Sequence, residues 1–331
     1  MKEQQTQPEH GLYTAEIRLT RACNLSCRHC SVAAGKKAEN ELTTGEVKSI
    51  IDELSDMGAL YVVFTGGEPL AHPNILNLVD YAASKGLRVS IDTNGALLSK
   101  EKAKALKKAG VSTIQVSIDG TKQTHDSIRG GGSFEEAISG IENSLKEEIY
   151  TTINFTVSRL NQNDLGKVIE LAKNLGVSAL TMERFAPAGR GAGLKDMLQS
   201  PEEFRQSLEV LFSADGIRVN STDPLAVFVK NGALKRYSNK ELEHRICGGC
   251  SAGIAALTIS YDGEVYPCPK LEVSCGNVRQ STLLDMWLKS KVIEEIRFRR
   301  LNGRCGSCAW KNLCGGCRAV SLACFTVTSR A

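Results

Sequence analysis

Twelve cysteines in a chain of 331 residues fall into two segments, and their placement restricts the fold more than any other feature. Three stand together as Cys23-x3-Cys27-x2-Cys30. Eight form a C-terminal array: Cys247-x2-Cys250, Cys268, Cys305-x2-Cys308-x5-Cys314-x2-Cys317 and Cys324. Cys275 belongs to neither pattern, and residues 31 to 246 contain no cysteine. Thiols used for packing would be scattered, whereas thiols at gaps of two and three residues can converge on metal or iron–sulfur sites. A fold for this chain must therefore bring one loop to a first site and a compact C-terminal module to others.

Clustered thiols in a long chain argue against a disulfide framework, which belongs to short secreted proteins. The first ten residues are polar and lack the apolar core of a signal peptide. No stretch approaches the ~18 apolar residues of a membrane span. These features predict a cytoplasmic protein with no membrane partner. The net charge is only +4, and basic residues alternate with acids apart from short runs such as Lys107-Lys108. That balance leaves no electrostatic footprint for nucleic acid.

The cysteine-free stretch alternates short β-rich runs with amphipathic helical segments. Strands are expected over 15–20, 60–65, 87–92, 113–118, 151–157 and 178–183. Helices are expected over 43–57, 73–85, 100–109, 134–148, 165–175 and, beyond the alternation, 201–212. In the first helix Thr43 or Thr44 can cap, and Val47, Ile50, Ile51 and Leu54 form one apolar face. Six β/α units imply a parallel sheet with packed helices. They are too few for a complete eight-fold barrel, so an α/β fold is expected: a partial (β/α)6 TIM-like barrel, with a doubly wound sheet as the alternative. Chemistry should gather at the C-terminal ends of the strands. The first cysteine cluster, Gly66-Gly67-Glu68, Asp92-Thr93-Asn94 and Asp119 all fall there. Residues 186–193 read as a Gly/Pro-rich loop and 215–245 as an unassigned bridge. A boundary near residue 230 divides a barrel domain with its bridge, 1–230, from a small cysteine-rich Fe–S domain, 231–331.

Three thiolates leave a tetrahedral zinc site one ligand short, which nearby His29 could supply. They also suffice for three irons of a [4Fe–4S] cluster, leaving the fourth iron open to an outside ligand. The second possibility is the more specific one, because Cys23-x3-Cys27-x2-Cys30 resembles the signature of the radical S-adenosylmethionine superfamily. Thr65-Gly66-Gly67-Glu68-Pro69-Leu70 is similar to that superfamily's GGE motif. The resemblance implies that the amino and carboxylate groups of S-adenosylmethionine chelate the open iron. Reductive cleavage then gives methionine and a 5′-deoxyadenosyl radical that takes hydrogen from a substrate. Gly66 and Gly67 would let the backbone approach the cofactor, and Glu68 would accept from its ammonium. Ser117, in Ser117-Ile118-Asp119-Gly120, resembles the ribose-binding segment. Asn94 could reach the sugar or the substrate, although Asn-Gly is also an ordinary turn. Arg129 resembles a recurrent arginine that neutralises the methionine carboxylate, and its alternative is a solvated loop residue. Glu183 and Arg184 close the sixth strand and are expected at the same mouth.

The C-terminal array, with Cys250-x12-Gly263-x4-Cys268 at its start, resembles the SPASM extension of this superfamily, which carries auxiliary [4Fe–4S] clusters. By that resemblance Cys247, Cys250, Cys268 and Cys317 hold one cluster, and Cys305, Cys308, Cys314 and Cys324 the other. The last gap, Cys314-x2-Cys317, is one residue shorter than the family usually has, so the pairing could shift. Zinc-ribbon sites remain the rival for these CxxC pairs. The expected cofactors are three [4Fe–4S] clusters, one of them binding S-adenosylmethionine and two auxiliary, and S-adenosylmethionine itself.

The pattern resembles members that modify ribosomal peptides or mature cofactors. The expected partners are a peptide substrate, a separate leader-binding protein, since so few residues precede the first strand, and an electron donor such as flavodoxin or ferredoxin. An enzyme of haem-type tetrapyrrole biosynthesis is the alternative. A non-catalytic zinc-binding interaction protein is the alternative from another class. Pro269 stands where sulfatase-maturing members place an acidic base after the equivalent of Cys268, which argues against that activity.

Overall fold

The computed structural model describes residues 11–230, 246 and 248–325. Its sheet has nine strands: β1 (Thr14–Arg18), β2 (Tyr61–Thr65), β3 (Arg88–Thr93), β4 (Val111–Ser117), β5 (Tyr150–Val157), β6 (Ala179–Arg184), β7 (Arg218–Ser221), β8 (Ala256–Ile259) and β9 (Val265–Tyr266). They lie in the order β7-β6-β5-β4-β3-β2-β1-β8-β9. Every pair is parallel except β8 with β9. Strand order follows chain order from β1 to β7 without the reversal of a doubly wound sheet, so the partial-barrel expectation is the one the topology bears out.

The sheet curls. One short segment, residues 269–272, meets both its first and its sixth strand. Lys270 Nζ lies 2.9 Å from Glu183 Oε2 on β6. Arg18 on β1 bonds Glu272 Oε1 at 2.8 Å and also the Pro269 carbonyl.

Helices pack outside this sheet because the outward strand positions are apolar. Ile17, Phe64, Ile91, Ile114, Val116, Ile153, Phe155 and Met182 are fully buried in one core. The first helix, α1 (Thr44–Asp56), begins at a capping box in which the Thr43 hydroxyl accepts from Glu46 N and the Glu46 carboxylate accepts from Thr43 N. Its buried face is the expected Val47, Ile50, Ile51 and Leu54. Burying each such side chain contributes about 1.5–3 kcal/mol.

Three features depart from the sequence expectation. Lys122–Arg129 is a helix, although its composition is too polar to announce one. The unassigned bridge contains β7, which pairs parallel with β6. In the C-terminal segment β8 pairs parallel with β1, so the cysteine-rich module extends the barrel sheet instead of standing apart from it.

Candidate functional site

At the C-terminal mouth of the strands, one cavity is lined by Cys23, Cys27 and Cys30 together with Gly66, Gly67, Asn94, Ser117 and Arg129. Those residues come from the ends of four successive strands, β1 to β4, and the parallel order brings them together. The loop after β1 carries the three thiols. It is fastened to the end of β2 by Gly67 N to Thr20 O at 2.7 Å and Glu68 N to Ala22 O at 2.8 Å.

The glycines are needed for that seam. A Cβ on Gly66 would sit 2.5 Å from Thr20 O, and one on Gly67 would sit 2.2 Å from Ala22 O. The close approach they permit is therefore first to the cysteine arm's own backbone. The cavity they also line is the second consequence.

Glu68 differs from expectation. It is fully buried and absent from the cavity wall. Its carboxylate accepts from Leu70 N (3.0 Å), Thr93 Oγ1 (2.6 Å) and Asn94 N (2.9 Å). The carboxylate thus ties β2 to β3 and holds Asn94 in place. Burial raises its pKa against those three bonds. Asn94 Nδ2 donates to Asn24 Oδ1 at 2.8 Å and lies 3.9 Å from the Cys23 sulfur. Ser117 stands on the cavity wall with its hydroxyl unengaged among the described residues.

Arg129 lines the cavity but is not a free cation. Its Nε bonds Asp119 Oδ2 at 2.6 Å, and His29 Nε2 lies 3.0 Å from the same oxygen. Asp119 Oδ1 accepts from Thr156 N at 2.9 Å. Burial opposes ionisation of Asp119, but Arg129 and His29 outweigh it and hold the carboxyl well below the usual carboxylate range. His29 therefore fastens the cysteine loop to the end of β4 through Asp119. Glu183 reaches the cavity as expected, whereas Arg184 turns away to pair with Asp223 at 2.9 Å.

The donors fit iron–sulfur ligation. Leu25 N points at the Cys23 sulfur and Ala34 N at the Cys30 sulfur, each at 3.4 Å. Such amide donors stabilise a thiolate and tune a cluster held by it. Without metal Cys23 and Cys27 stay protonated: burial raises Cys23 to about 11, and burial also raises Cys27 despite Arg129. Ligation would then release protons.

In the C-terminal module the same amide pattern recurs, with Lys270 N to Cys268 and Gly316 N to Cys314, both at 3.4 Å. Burial pushes Cys268 up to about 12, reinforced by the charges of Cys250 and Cys317. Those three thiols thus share one neighbourhood. Cys314 is near Cys305, whose sulfur lies 3.6 Å from where a Cβ on Gly316 would stand. Cys308 is half-buried beside Cys305, bonding to its carbonyl through N–H at 3.3 Å, and Cys324 is half-buried on the last helix, Arg318–Phe325. Cys247 lies outside the described residues. Cys275 is half-buried and packs against the barrel core.

Two parts of the site escape the spacing argument. Arg190 donates to Cys27 O at 2.8 Å and Ala34 O at 2.9 Å, clamping the cysteine loop from the segment after β6. The adjoining Gly189 sits so close that a Cβ would be 2.4 Å from Ser31 O. The second part is the barrel lumen, where every strand position on the cavity wall is polar. Glu16, Asp92, Gln115, Asn154, Thr156 and Glu183 are among them. The signal was present in the strands, because a parallel sheet covered on both faces should read as continuous apolar runs. Thr113-Ile114-Gln115-Val116-Ser117 and Thr152-Ile153-Asn154-Phe155-Thr156 alternate instead.

Comparison with known proteins agrees with this geometry. Residues 17–172 match the radical SAM superfamily model, and residues 247–318 match an iron–sulfur cluster-binding domain named SPASM. The chain is 35% identical over 318 residues to the AdoMet-dependent heme synthase of Methanosarcina barkeri, covering 92% of this chain and 90% of that one. It is 34% identical over 312 residues to the mycofactocin maturase MftC of Mycolicibacterium smegmatis, covering 92% and 77%. Among solved structures, Streptococcus suis SuiB bound to S-adenosylmethionine superposes with a TM-score of 0.74 at 18% identity, over 94% of this chain and 74% of that one. Native anSMEcpe with bound AdoMet gives 0.71 at 21%, over 93% and 89%. At those identities the two structures speak for the fold.

Proposed function

This chain belongs to the radical S-adenosylmethionine superfamily and carries the SPASM extension, and from that premise we propose that it is a peptide-maturing enzyme acting in the cytoplasm. As a member it binds [4Fe–4S] clusters and S-adenosylmethionine. The observation that carries the local reading is the single cavity shared by Cys23, Cys27, Cys30, Ser117 and Asn94. Cys23, Cys27 and Cys30 would hold the cluster that binds S-adenosylmethionine. That cluster supplies the electron that cleaves the sulfonium and releases the hydrogen-abstracting 5′-deoxyadenosyl radical.

The chain's own residues do the rest. Asn94 and Ser117 offer polar atoms to the nucleoside and methionine portions, and Gly66 and Gly67 bring bare backbone beside them. Arg129 sets positive charge against the thiolates while Asp119 holds it in position. Arg190 keeps the cysteine loop closed on the mouth, and the lumen below receives the substrate. Cys247, Cys250, Cys268 and Cys317 would hold one auxiliary cluster, and Cys305, Cys308, Cys314 and Cys324 the other. The division into 1–230 and 231–331 then separates ligand sets, not sheets.

A peptide substrate is favoured by the likeness to the maturase and by the polar lumen. The tetrapyrrole alternative is supported by the likeness to the heme synthase. A separate leader-binding protein and a flavodoxin or ferredoxin as electron donor complete the reading. Among the described residues no helix is long and apolar enough to cross a membrane.

The test is anaerobic: reconstituted protein is reduced with dithionite and 5′-deoxyadenosine is measured. The expected result is release of 5′-deoxyadenosine that disappears when Cys23, Cys27 and Cys30 are all replaced by alanine. Iron-replete protein that leaves S-adenosylmethionine intact would overturn the proposal.

A further inference from the structure

Two acids of the lumen lack an ion-pair partner among the described residues. Among the described residues four lysine and arginine side chains line the cavity, and each is already engaged. Lys270 pairs with Glu183, Arg18 with Glu272, and Arg129 with Asp119, while Arg190 is bound to the carbonyls of Cys27 and Ala34. Glu16 on β1 and Asp92 on β3 line the same cavity and have no cation of their own among the described residues. Gln115 is the side chain that hydrogen-bonds Asp92. Both acids are deep in the barrel yet keep part of their surface accessible, so the surface they keep is that of the cavity.

A third acceptor points to a ligand independently. Asn154 on β5 is only 9% exposed, lines the cavity, and its Oδ1 has no hydrogen-bond partner. A buried carbonyl oxygen without a donor is costly, and native structures rarely leave one so. Glu16, Asp92 and Asn154 are not arranged for a metal ion: they bring only two carboxylates, and among the described residues no third His, Cys, Asp or Glu joins them to hold one.

We propose that Glu16, Asp92 and Asn154 form the substrate-specificity subsite of the barrel, and that it takes a cationic hydrogen-bond donor: the ammonium or guanidinium of a lysine or arginine side chain in the substrate peptide. The subsite rests on the peptide reading above and names the side chain that reading leaves open. All three groups offer acceptors on the wall of the cavity that the thiols also line, with Asn154 beside Ser117 in the sheet, so a basic side chain inserted there would hold the neighbouring backbone near the mouth. Burial drives both acids toward the protonated form when no cation is present. An incoming cation restores their ionisation and satisfies Asn154 with the same N–H groups. A tetrapyrrole bearing propionates would set negative charge against Glu16 and Asp92, where no cation among the described residues is free to receive it.

The test uses the reconstituted holoenzyme with S-adenosylmethionine bound and four capped tripeptides, acetyl-Gly-X-Gly-amide with X as Lys, Arg, Gln or Glu. Affinities are measured by anaerobic calorimetric titration at millimolar concentrations. The Lys or Arg peptide should bind at least about tenfold more tightly than the Gln peptide, with the Glu peptide weakest. That preference should vanish in the Glu16→Gln/Asp92→Asn double variant and shrink in Asn154→Ala. Equal binding of Lys, Arg and Gln peptides, no binding by any of them, or a preference for Glu overturns the subsite. So does a preference that survives in the double variant. Wild-type enzyme that cleaves S-adenosylmethionine yet shows no such preference refutes the subsite alone. Enzyme that does not cleave it refutes the underlying function.

Discussion

Replacing Glu16 with glutamine removes an acid whose ionisation the barrel resists, and the consequence for stability can be worked out. Burial raises the Glu16 pKa from 4.5 to about 7, with Arg18 opposing the rise and Glu183 adding to it. The folded state therefore holds this proton more tightly than the unfolded chain does. The contribution is intact below pH 4.5, is lost as pH climbs, and levels off once pH passes the folded value near 7. At about 1.36 kcal/mol per pH unit the complete loss approaches roughly 3 kcal/mol, most of it between about pH 5 and about pH 9. Water in the cavity screens part of the penalty, so a change of roughly 1–3 kcal/mol is expected. Glutamine has the same shape and no proton to lose. Urea unfolding of anaerobic wild type and E16Q should show the variant gaining that amount on the wild type between the two pH values. A difference between the proteins that stays constant with pH, within about 0.5 kcal/mol, would falsify the reasoning.

The other perturbations read different parts of the site. Gly67→Ala forces a Cβ against Ala22 O and should displace the Cys23 arm, lowering iron in anaerobically purified protein from about twelve to about eight per chain while the C-terminal sites stay filled. Unchanged iron would refute the role given to that seam. Wild type itself should contain about twelve irons and almost no zinc; about four irons with two zincs would show the C-terminal thiols to be zinc sites. Glu68→Ala strands Leu70 N, Thr93 Oγ1 and Asn94 N, at about 1–3 kcal/mol for each buried orphan, so a loss of at least about 3 kcal/mol is expected, with E68Q recovering part of it. Arg190→Ala removes both bonds that close the cysteine loop and should change the electron paramagnetic resonance signal of the reduced S-adenosylmethionine-binding cluster. R190K should restore that signal only partly, because one ammonium cannot span both carbonyls.

The residues that sequence spacing could identify are those whose chemistry is local. Cys23, Cys27 and Cys30 declare themselves because ligands in one loop must be close in sequence. The capped face of α1 is legible for the same reason, since Thr43 and Glu46 are three positions apart. Glu68 was legible as a motif member but not in its role, because its acceptors serve Thr93 and Asn94 some 25 residues on. Only the register of β2 with β3 brings those groups together. Arg190 is harder still: its partners lie 163 and 156 residues away in sequence, and a Gly-Arg-Gly loop has no periodicity to mark it. The acids of the lumen were legible in kind, through the polar alternation of strands that should have been apolar on both faces. They were not legible as a set, because Glu16 and Asp92 lie on strands separated by β2 and meet only when the sheet curls.

That curl makes the C-terminal module part of the barrel. Cys268 is followed at once by Pro269 and Lys270, and Glu272 lies two residues further on. Arg18 and Glu183, on opposite sides of the lumen, are both neutralised from this one turn. Lys270 N also donates to the Cys268 sulfur, so the residue that answers Glu183 is fixed by the thiol it follows. Filling the auxiliary site should therefore order the lumen as well as the module. Releasing Cys268 would free Lys270 and leave Glu183 beside Glu16 and Asp92, a third unanswered charge in a space that already disfavours two. A chain stripped of its C-terminal clusters should accordingly lose substrate preference before it loses the Cys23, Cys27 and Cys30 site, because the cysteine loop is held by Gly67, Asp119 and Arg190, none of which depends on that turn.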